Sequence, residues 1–214
     1  MKFFRRRLPH LHAIGHPIFL TWRLHNSLPT HRPFPSTLTS GKAFLAMDRL
    51  LDTARTGPLY LRRPEIAQIV IDSIFYCENR MYDLHSYVIM PNHVHLLITP
   101  NVEVSKITQS LKRATARAAN QALGLTGPFW QDESYDRLVR DQPEFDRVRR
   151  YIEWNPVKAG LAPSPEEFPW SSVGQACSLR AELNSALAGR SATPPPVTNR
   201  PHRPTTEHHN LEND

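Results

Sequence analysis

At 214 residues, with 26 Lys and Arg against 20 Asp and Glu and a formal net charge of +6, the chain has room for one well-buried domain of about 150 residues plus appendages. No apolar run approaches the roughly 18 residues needed to cross a bilayer, and the opening Met-Lys-Phe-Phe-Arg-Arg-Arg-Leu-Pro-His lacks the apolar core and cleavage site of a secretory signal. A cytoplasmic protein is expected. The charge is uneven: residues 1 to 47 hold Lys2, Arg5, Arg6, Arg7, Arg23, Arg32 and Lys42 and no acid, a pattern that points to a polyanion, either nucleic acid or an anionic membrane surface.

In chain order, residues 1 to 12 read as a basic N-terminal arm, and Pro17-Ile-Phe-Leu-Thr-Trp-Arg-Leu-His25, rich in β-branched and aromatic residues, as a first strand. A Ser-, Thr- and Pro-rich loop over 26 to 41 leads into helices predicted at 42 to 55 and 64 to 80, the second opened by Pro64 with Glu65 behind it. Strands over 84 to 90 and 93 to 99 form a hairpin that turns at Met90-Pro91-Asn92. An Ala-rich helix spans 103 to 123, with Val104, Ile107, Leu111, Ala114 and Ala118 on one face, and Gly124 and Gly127 end it. Tyr135-Asp-Arg-Leu-Val-Arg-Asp141 alternates as a fourth strand, and a helix from Gln142-Pro143-Glu144 is expected to stop near Asn155-Pro156.

Strand, helix, strand, strand, helix, strand and a further helix is the connectivity of a ferredoxin-like α+β sandwich. Its helices are expected on one face of an antiparallel sheet, leaving the other face free for a ligand. The catalytic domain is placed at 13 to 175, with Phe168 and Trp170 available for packing, a candidate helical extension at 176 to 188 and a disordered Pro-rich tail at 189 to 214. Cys77 and Cys177 have no partner at metal-ligand spacing and read as reduced structural thiols.

The chemistry is concentrated in two places. In Tyr87-Val-Ile-Met-Pro-Asn-His-Val-His-Leu-Leu-Ile-Thr99, His93 and His95 are i and i+2 on a strand, so both imidazoles leave the same face and can converge on one metal ion. In Arg147-Val-Arg-Arg-Tyr-Ile-Glu-Trp-Asn-Pro156, Tyr151 and Asn155 are four apart on a helix and face one point. A divalent ion held by two imidazoles and a carboxamide, beside a tyrosine, suits attack on a phosphodiester, because a phenol is a poor nucleophile at neutral pH unless a cation or base assists it.

Pro91-Asn-His-Val-His-Leu-Leu97 resembles the HUH motif (histidine, bulky hydrophobic, histidine) of single-strand transposases, and Tyr151-Ile-Glu-Trp-Asn-Pro-Val-Lys-Ala-Gly-Leu161 resembles the tyrosine helix of REP-associated tyrosine transposases. Phe129-Trp-Gln131 with Tyr135 to Asp141, and Gly15-His-Pro-Ile-Phe-Leu-Thr-Trp-Arg23, are similar to further segments of that family, in the same order over roughly residues 10 to 172. The resemblance implies an endonuclease and strand transferase of single-stranded or hairpin DNA, at palindromic repeat elements of the nucleoid, working as a monomer or homodimer. It further implies Mg2+ or Mn2+ held by His93, His95 and Asn155, with Tyr151 as nucleophile forming a 5′-phosphotyrosyl link.

Tyr135 is the competing nucleophile, disfavoured because it falls in a strand and lacks a helical partner. Arg5, Arg6, Arg7, Arg23, Arg137, Arg140, Arg147 and Arg150 are expected to meet DNA, most of them at phosphates, and Trp130 to stack on an unpaired base. The rival readings are a regulator that binds DNA or RNA without cutting, and a hydrolase of a small substrate.

Overall fold

A computed structural model of the chain describes residues 2–5, 9–12, 14–28, 40–53 and 57–177, with side chains from residue 14 onward except those of Ser40 and Lys42. Its elements are β1 (Lys2–Arg5), β2 (Pro9–His12), β3 (Ile18–Arg23), α1 (Ser40–Asp52), α2 (Pro64–Cys77), β4 (Tyr82–Ile89), β5 (His93–Pro100), α3 (Val104–Leu123), β6 (Tyr135–Leu138) and α4 (Gln142–Lys158). The basic leader is therefore more than an arm, because β1 and β2 pair as an antiparallel hairpin. Arg6, Arg7 and the tail from 178 on lie outside the described residues, as does the side chain of Arg5.

β3 to β6 form one antiparallel sheet in the order β4-β5-β3-β6, the strand order of a ferredoxin-like sandwich. Alternation along the strands sends their side chains to two different cores. Ile18, Leu20 and Trp22 of β3 and Val94, Leu96 and Ile98 of β5 pack against Ile66, Val70 and Ile74 of α2 and Ile107 and Leu111 of α3. The opposite set, Phe19, Val88, Met90 and Leu97, packs against Phe44 of α1 and Ile152 of α4.

The second sheet face is thus covered, not open as expected from the sequence. Its apolar side chains require burial, and α1 and α4 are the two amphipathic elements left to supply it. The histidines project toward this face, so the site lies under two helices.

α4 also runs further than its Asn155-Pro156 suggests, to Lys158. Pro156 removes one amide donor, but the carbonyls around it are satisfied: Asn155 O accepts from Ala159 N at 3.0 Å and Pro156 O from Leu161 N at 2.8 Å. Burial of Asn155 and Pro156 holds this turn in place. Past it, the chain covers the outer edge of the sheet, where Ile89 N donates to Trp170 O at 2.8 Å and Tyr87 Oη donates to Gln175 Oε1 at 2.6 Å.

Candidate metal and nucleophile site

Three elements meet over the second sheet face: β5 brings His93 and His95, α1 brings Asp48 and Asp52, and α4 brings Tyr151 and Asn155. The α4 end is fixed at its start, where Asp141 Oδ1 accepts from Glu144 N at 2.7 Å as an N-cap, and the buried Glu144 carboxylate accepts from Arg137 and, at 3.0 Å, from Arg140 Nε. Those bonds tie the helix to β6 and its exit. Tyr151 and Asn155, two turns on, then reach back over the imidazoles.

Both histidines are fully buried. Asn92 orients the first: its Nδ2 donates to Leu51 O at 3.0 Å, so its Oδ1 is left to accept from His93 Nδ1 at 2.7 Å. With the proton on Nδ1, the His93 Nε2 lone pair points inward. His95 Nδ1 lies 2.7 Å from Thr21 Oγ1, and the two Nε2 atoms face each other at 3.1 Å. Asp48 Oδ1 stands 3.2 Å from His95 Nε2 and 3.5 Å from His93 Nε2. The other Asp48 oxygen accepts the Tyr151 hydroxyl, and Asn155 Nδ2 lies 3.3 Å from that same oxygen and 3.4 Å from His95 Nε2. Asn155 Oδ1 is buried and has no hydrogen-bond partner.

This donor set fits a cation. Asp48, His93 and His95 offer ligand atoms within 4.8 Å of one another, and a buried, unpartnered carboxamide oxygen sits beside them. The electrostatics agree. Burial, then the neighbouring His95, pushes His93 down to about 3, so it is neutral and ready to ligate. Burial alone would raise the Asp48 carboxyl, but His95, His93 and the Asn155 amide outweigh it and keep Asp48 ionised below the usual carboxylate range. Asp52, one turn along α1, is pushed up to about 7 by burial and by the Asp48 charge.

Two opposed pH slopes result. His93 binds its proton in the unfolded chain below 6.5 and in the folded one only near 3, so its contribution to stability is lost as pH falls through that window. Asp52 keeps a proton when folded that it releases near 3.8 when unfolded, so its contribution is lost as pH rises from 3.8 to about 7. The two oppose each other over the shared range, each at about 1.4 kcal/mol per pH unit at most. In metal-free protein, Asp52→Asn is expected to leave the His93 slope exposed, so that urea midpoints fall more steeply between pH 6.5 and 4 than in the wild type.

Other expected site residues fare differently. Arg147 and Trp154, four before and three after Tyr151 on α4, are exposed on its side of the helix, and Arg150, next to it in sequence, is exposed about a quarter turn away. Arg137 and Arg140 reach the surface but are committed to Glu144. Arg23, opposite His93 across the strands, is half-buried and donates to Ser27 Oγ at 3.2 Å; burial lowers its pKa. Trp130 is a correction: it is a core residue, not a base-stacking platform. Its indole N–H donates to Thr115 Oγ1 at 2.8 Å and its ring packs edge-on against Trp22 and Phe129. Trp130→Ala is expected to cost about 3–5 kcal/mol in urea unfolding, with no selective loss of DNA affinity in the folded fraction. Tyr135 stacks on Phe44 at 4.3 Å between centroids, inside the second core. Cys77 is buried and Cys177 exposed, and both are free.

Asp48 and Asp52 are the functional candidates that the sequence reading missed. The signal was present: they are the first two acids of the chain, after 47 residues without one, and they lie four apart on a predicted helix.

Residues 65–155 match the family model of the IS200-like transposases. That span carries His93, His95, Tyr151 and Asn155. Over this span, which is less than half of its length, the chain is similar to the IS200-like transposases. A Haemophilus influenzae protein named as a REP-associated tyrosine transposase is 25% identical over 119 residues, which are 50% of this chain and 66% of that relative. A solved structure of a REP-associated tyrosine transposase bound to a REP hairpin superposes with a TM-score of 0.51 at 20% identity, over 82% of this chain and 84% of the other. That likeness is one of fold. Asp48 and Asp52 lie outside the family match, on the helix α1 that precedes it. Among the described residues no helix is long and apolar enough to cross a membrane.

Proposed function

We propose that the protein is a metal-dependent endonuclease and strand transferase of single-stranded DNA that cuts at or near hairpins through Tyr151. The observation that carries this reading is the convergence of a tyrosine hydroxyl from α4 and two imidazole Nε2 atoms from β5 on one buried carboxylate. A small-molecule hydrolase has no need of a helix that sets arginines beside the nucleophile, and a regulator that does not cut has no need of the buried polar cluster.

His93, His95 and Asn155 would hold Mg2+ or Mn2+, and the ion would supply charge to a phosphodiester oxygen as the bond order at phosphorus changes. The protein does the rest. The Tyr151 hydroxyl gives up its proton as its oxygen attacks phosphorus, the O3′ leaves and takes up a proton, and the 5′-phosphate is retained on the phenol. Transfer runs the same exchange in reverse, with a 3′-hydroxyl displacing the tyrosine. The buried face keeps water from competing, and the Tyr151 contact to Asp48 holds the phenol in one orientation. Arg147 and Arg150 flank the nucleophile where phosphates of the bound strand would pass. Within this chain the tyrosine helix serves its own histidines.

The relative bound to a REP hairpin supports hairpin DNA as the substrate class. The test is an oligonucleotide carrying a hairpin with single-stranded flanks, labelled at either end and incubated with Mn2+ or with EDTA. Cutting is expected with metal only, giving a free 3′-OH on one fragment and a protein-linked 5′ end on the other. A retarded but intact oligonucleotide in both conditions would support the non-cutting regulator.

A further inference from the structure

Resting on the metal-dependent reading above, we propose that Asp48 of α1 is itself a metal ligand, and that it links the ion to the nucleophile: Oδ1 completes the imidazole pair while Oδ2 positions the Tyr151 hydroxyl.

Three observations carry this. The first is spacing. An octahedral ion with donors about 2.1 Å away has neighbouring donors about 3.0 Å apart. The two histidine Nε2 atoms are 3.1 Å apart, and Asp48 Oδ1 lies 3.2 and 3.5 Å from them. Three ligand atoms from two elements thus already stand at the separations of one face of such a site.

The second is chemistry. Two imidazoles and a carboxamide are a neutral set, better matched to zinc or copper than to Mg2+ or Mn2+, which favour anionic oxygen. Asp48 supplies that charge, and its side chain is only 2% exposed, so no surface role competes for it. A buried carboxylate facing two imidazoles has few stable uses other than pairing with a cation.

The third is the second oxygen, which holds the Tyr151 hydroxyl and lies within 3.3 Å of the Asn155 amide nitrogen. An ion that draws on Oδ1 acts through a single rigid carboxylate on the group holding the phenol. Metal occupancy and nucleophile orientation are then coupled through Asp48: an ion bound to Oδ1 is felt at the hydroxyl held by Oδ2. Asp48 in this second role is a positioning residue, and α1 becomes a part of the active site that the two sequence motifs do not contain.

The experiment uses the full chain, with Mn2+ binding followed by the loss of the free-ion electron paramagnetic resonance signal. A second readout is the 19F signal of Tyr151 in 3-fluorotyrosine protein, assigned by its absence from Tyr151→Phe and followed on addition of Mg2+. Asp48→Asn preserves shape and removes the charge, and a thermal melt of each variant reports folding. The expected result is at least about tenfold weaker Mn2+ binding in Asp48→Asn, Mn2+ binding within about twofold of wild type in Tyr151→Phe, and a Tyr151 fluorine signal that moves with Mg2+ in wild type but not in Asp48→Asn. Unchanged Mn2+ affinity in a folded Asp48→Asn protein would overturn the ligand, and a fluorine response surviving in that variant would overturn the link to the nucleophile. If Asp48→Asn does not fold, Asp48→Glu, which keeps the charge but displaces it, takes its place with the same expected losses, and wild-type behaviour in Asp48→Glu would overturn the proposal. Failure of the wild type to bind Mn2+ at all would instead bring down the metal-dependent reading on which this one stands.

Discussion

Tyr151→Phe is expected to abolish the covalent protein–DNA species while leaving hairpin binding within about threefold of wild type. Removing a nucleophile that acts as a unit with its site costs on the order of 10³-fold or more in rate, whereas the phenyl ring keeps the contacts that bury it. Those contacts are real: the Tyr151 ring centroid is 6.0 Å from that of Phe19 and 5.8 Å from that of His95, both near edge-on. The Asp48 oxygen that loses the hydroxyl still has the Asn155 amide, so the fold is expected to survive, with a change in melting temperature of a few degrees at most. Denaturing gels of protein mixed with a labelled hairpin oligonucleotide and Mn2+ read the first quantity, and mobility shifts in EDTA read the second. A Tyr151→Phe protein that still forms the adduct would move the nucleophile elsewhere.

The second large effect is at His95. His95→Ala is expected to remove metal-dependent cutting altogether and to destabilise the metal-free protein by about 3 kcal/mol, because it takes an imidazole partner from a buried carboxylate. Asp48 is held ionised chiefly by His95 against the cost of burial. His93→Ala differs in kind: it leaves a cavity and an unpaired Asn92 oxygen, not a stranded charge, and its stability loss is expected to be larger at pH 8 than at pH 5, because a buried neutral imidazole contributes less where the unfolded chain binds the proton. Guanidinium titrations of His93→Ala at pH 5 and pH 8 check this, and equal losses at both pH values would contradict a His93 buried in its neutral form.

The parts of this site that can be read from the chain are those whose partners are near in sequence. His93 and His95 share a face because a strand repeats every two residues, and Tyr151 and Asn155 because a helix brings i and i+4 together. The α+β sandwich followed from the order of strands and helices along the chain. What could not be read is set by tertiary placement. Asp48 belongs to the site because α1 packs over Phe19 and Leu97 of the sheet, and no local pattern tells a helix acid that turns inward from one that meets solvent. Residue type alone makes Trp130 a candidate for base stacking; Thr115, fifteen residues earlier on α3, satisfies its indole and decides the matter. The helix that passes through Pro156 is the same kind of case, since burial of that turn and hydrogen bonds from Ala159 and Leu161 outweigh a local preference to stop.

The basic side chains divide along similar lines. Arg137 and Arg140 alternate on and beyond β6 as phosphate ligands would, yet both are drawn to Glu144, where they fix the start of the tyrosine helix. Their substitution is a structural change first. Arg147 and Arg150 are exposed on α4 and are not tied to Glu144, although the Arg150 charge acts on the Glu153 carboxyl.

The most direct test of the central claim is to trap the protein on a hairpin oligonucleotide with Mn2+, digest both, and locate the nucleotide-bearing peptide by mass spectrometry. The account predicts a phosphodiester adduct on Tyr151, absent in EDTA. An adduct on Tyr135, which lies stacked against Phe44 in the second core, or one that forms without metal, would contradict it.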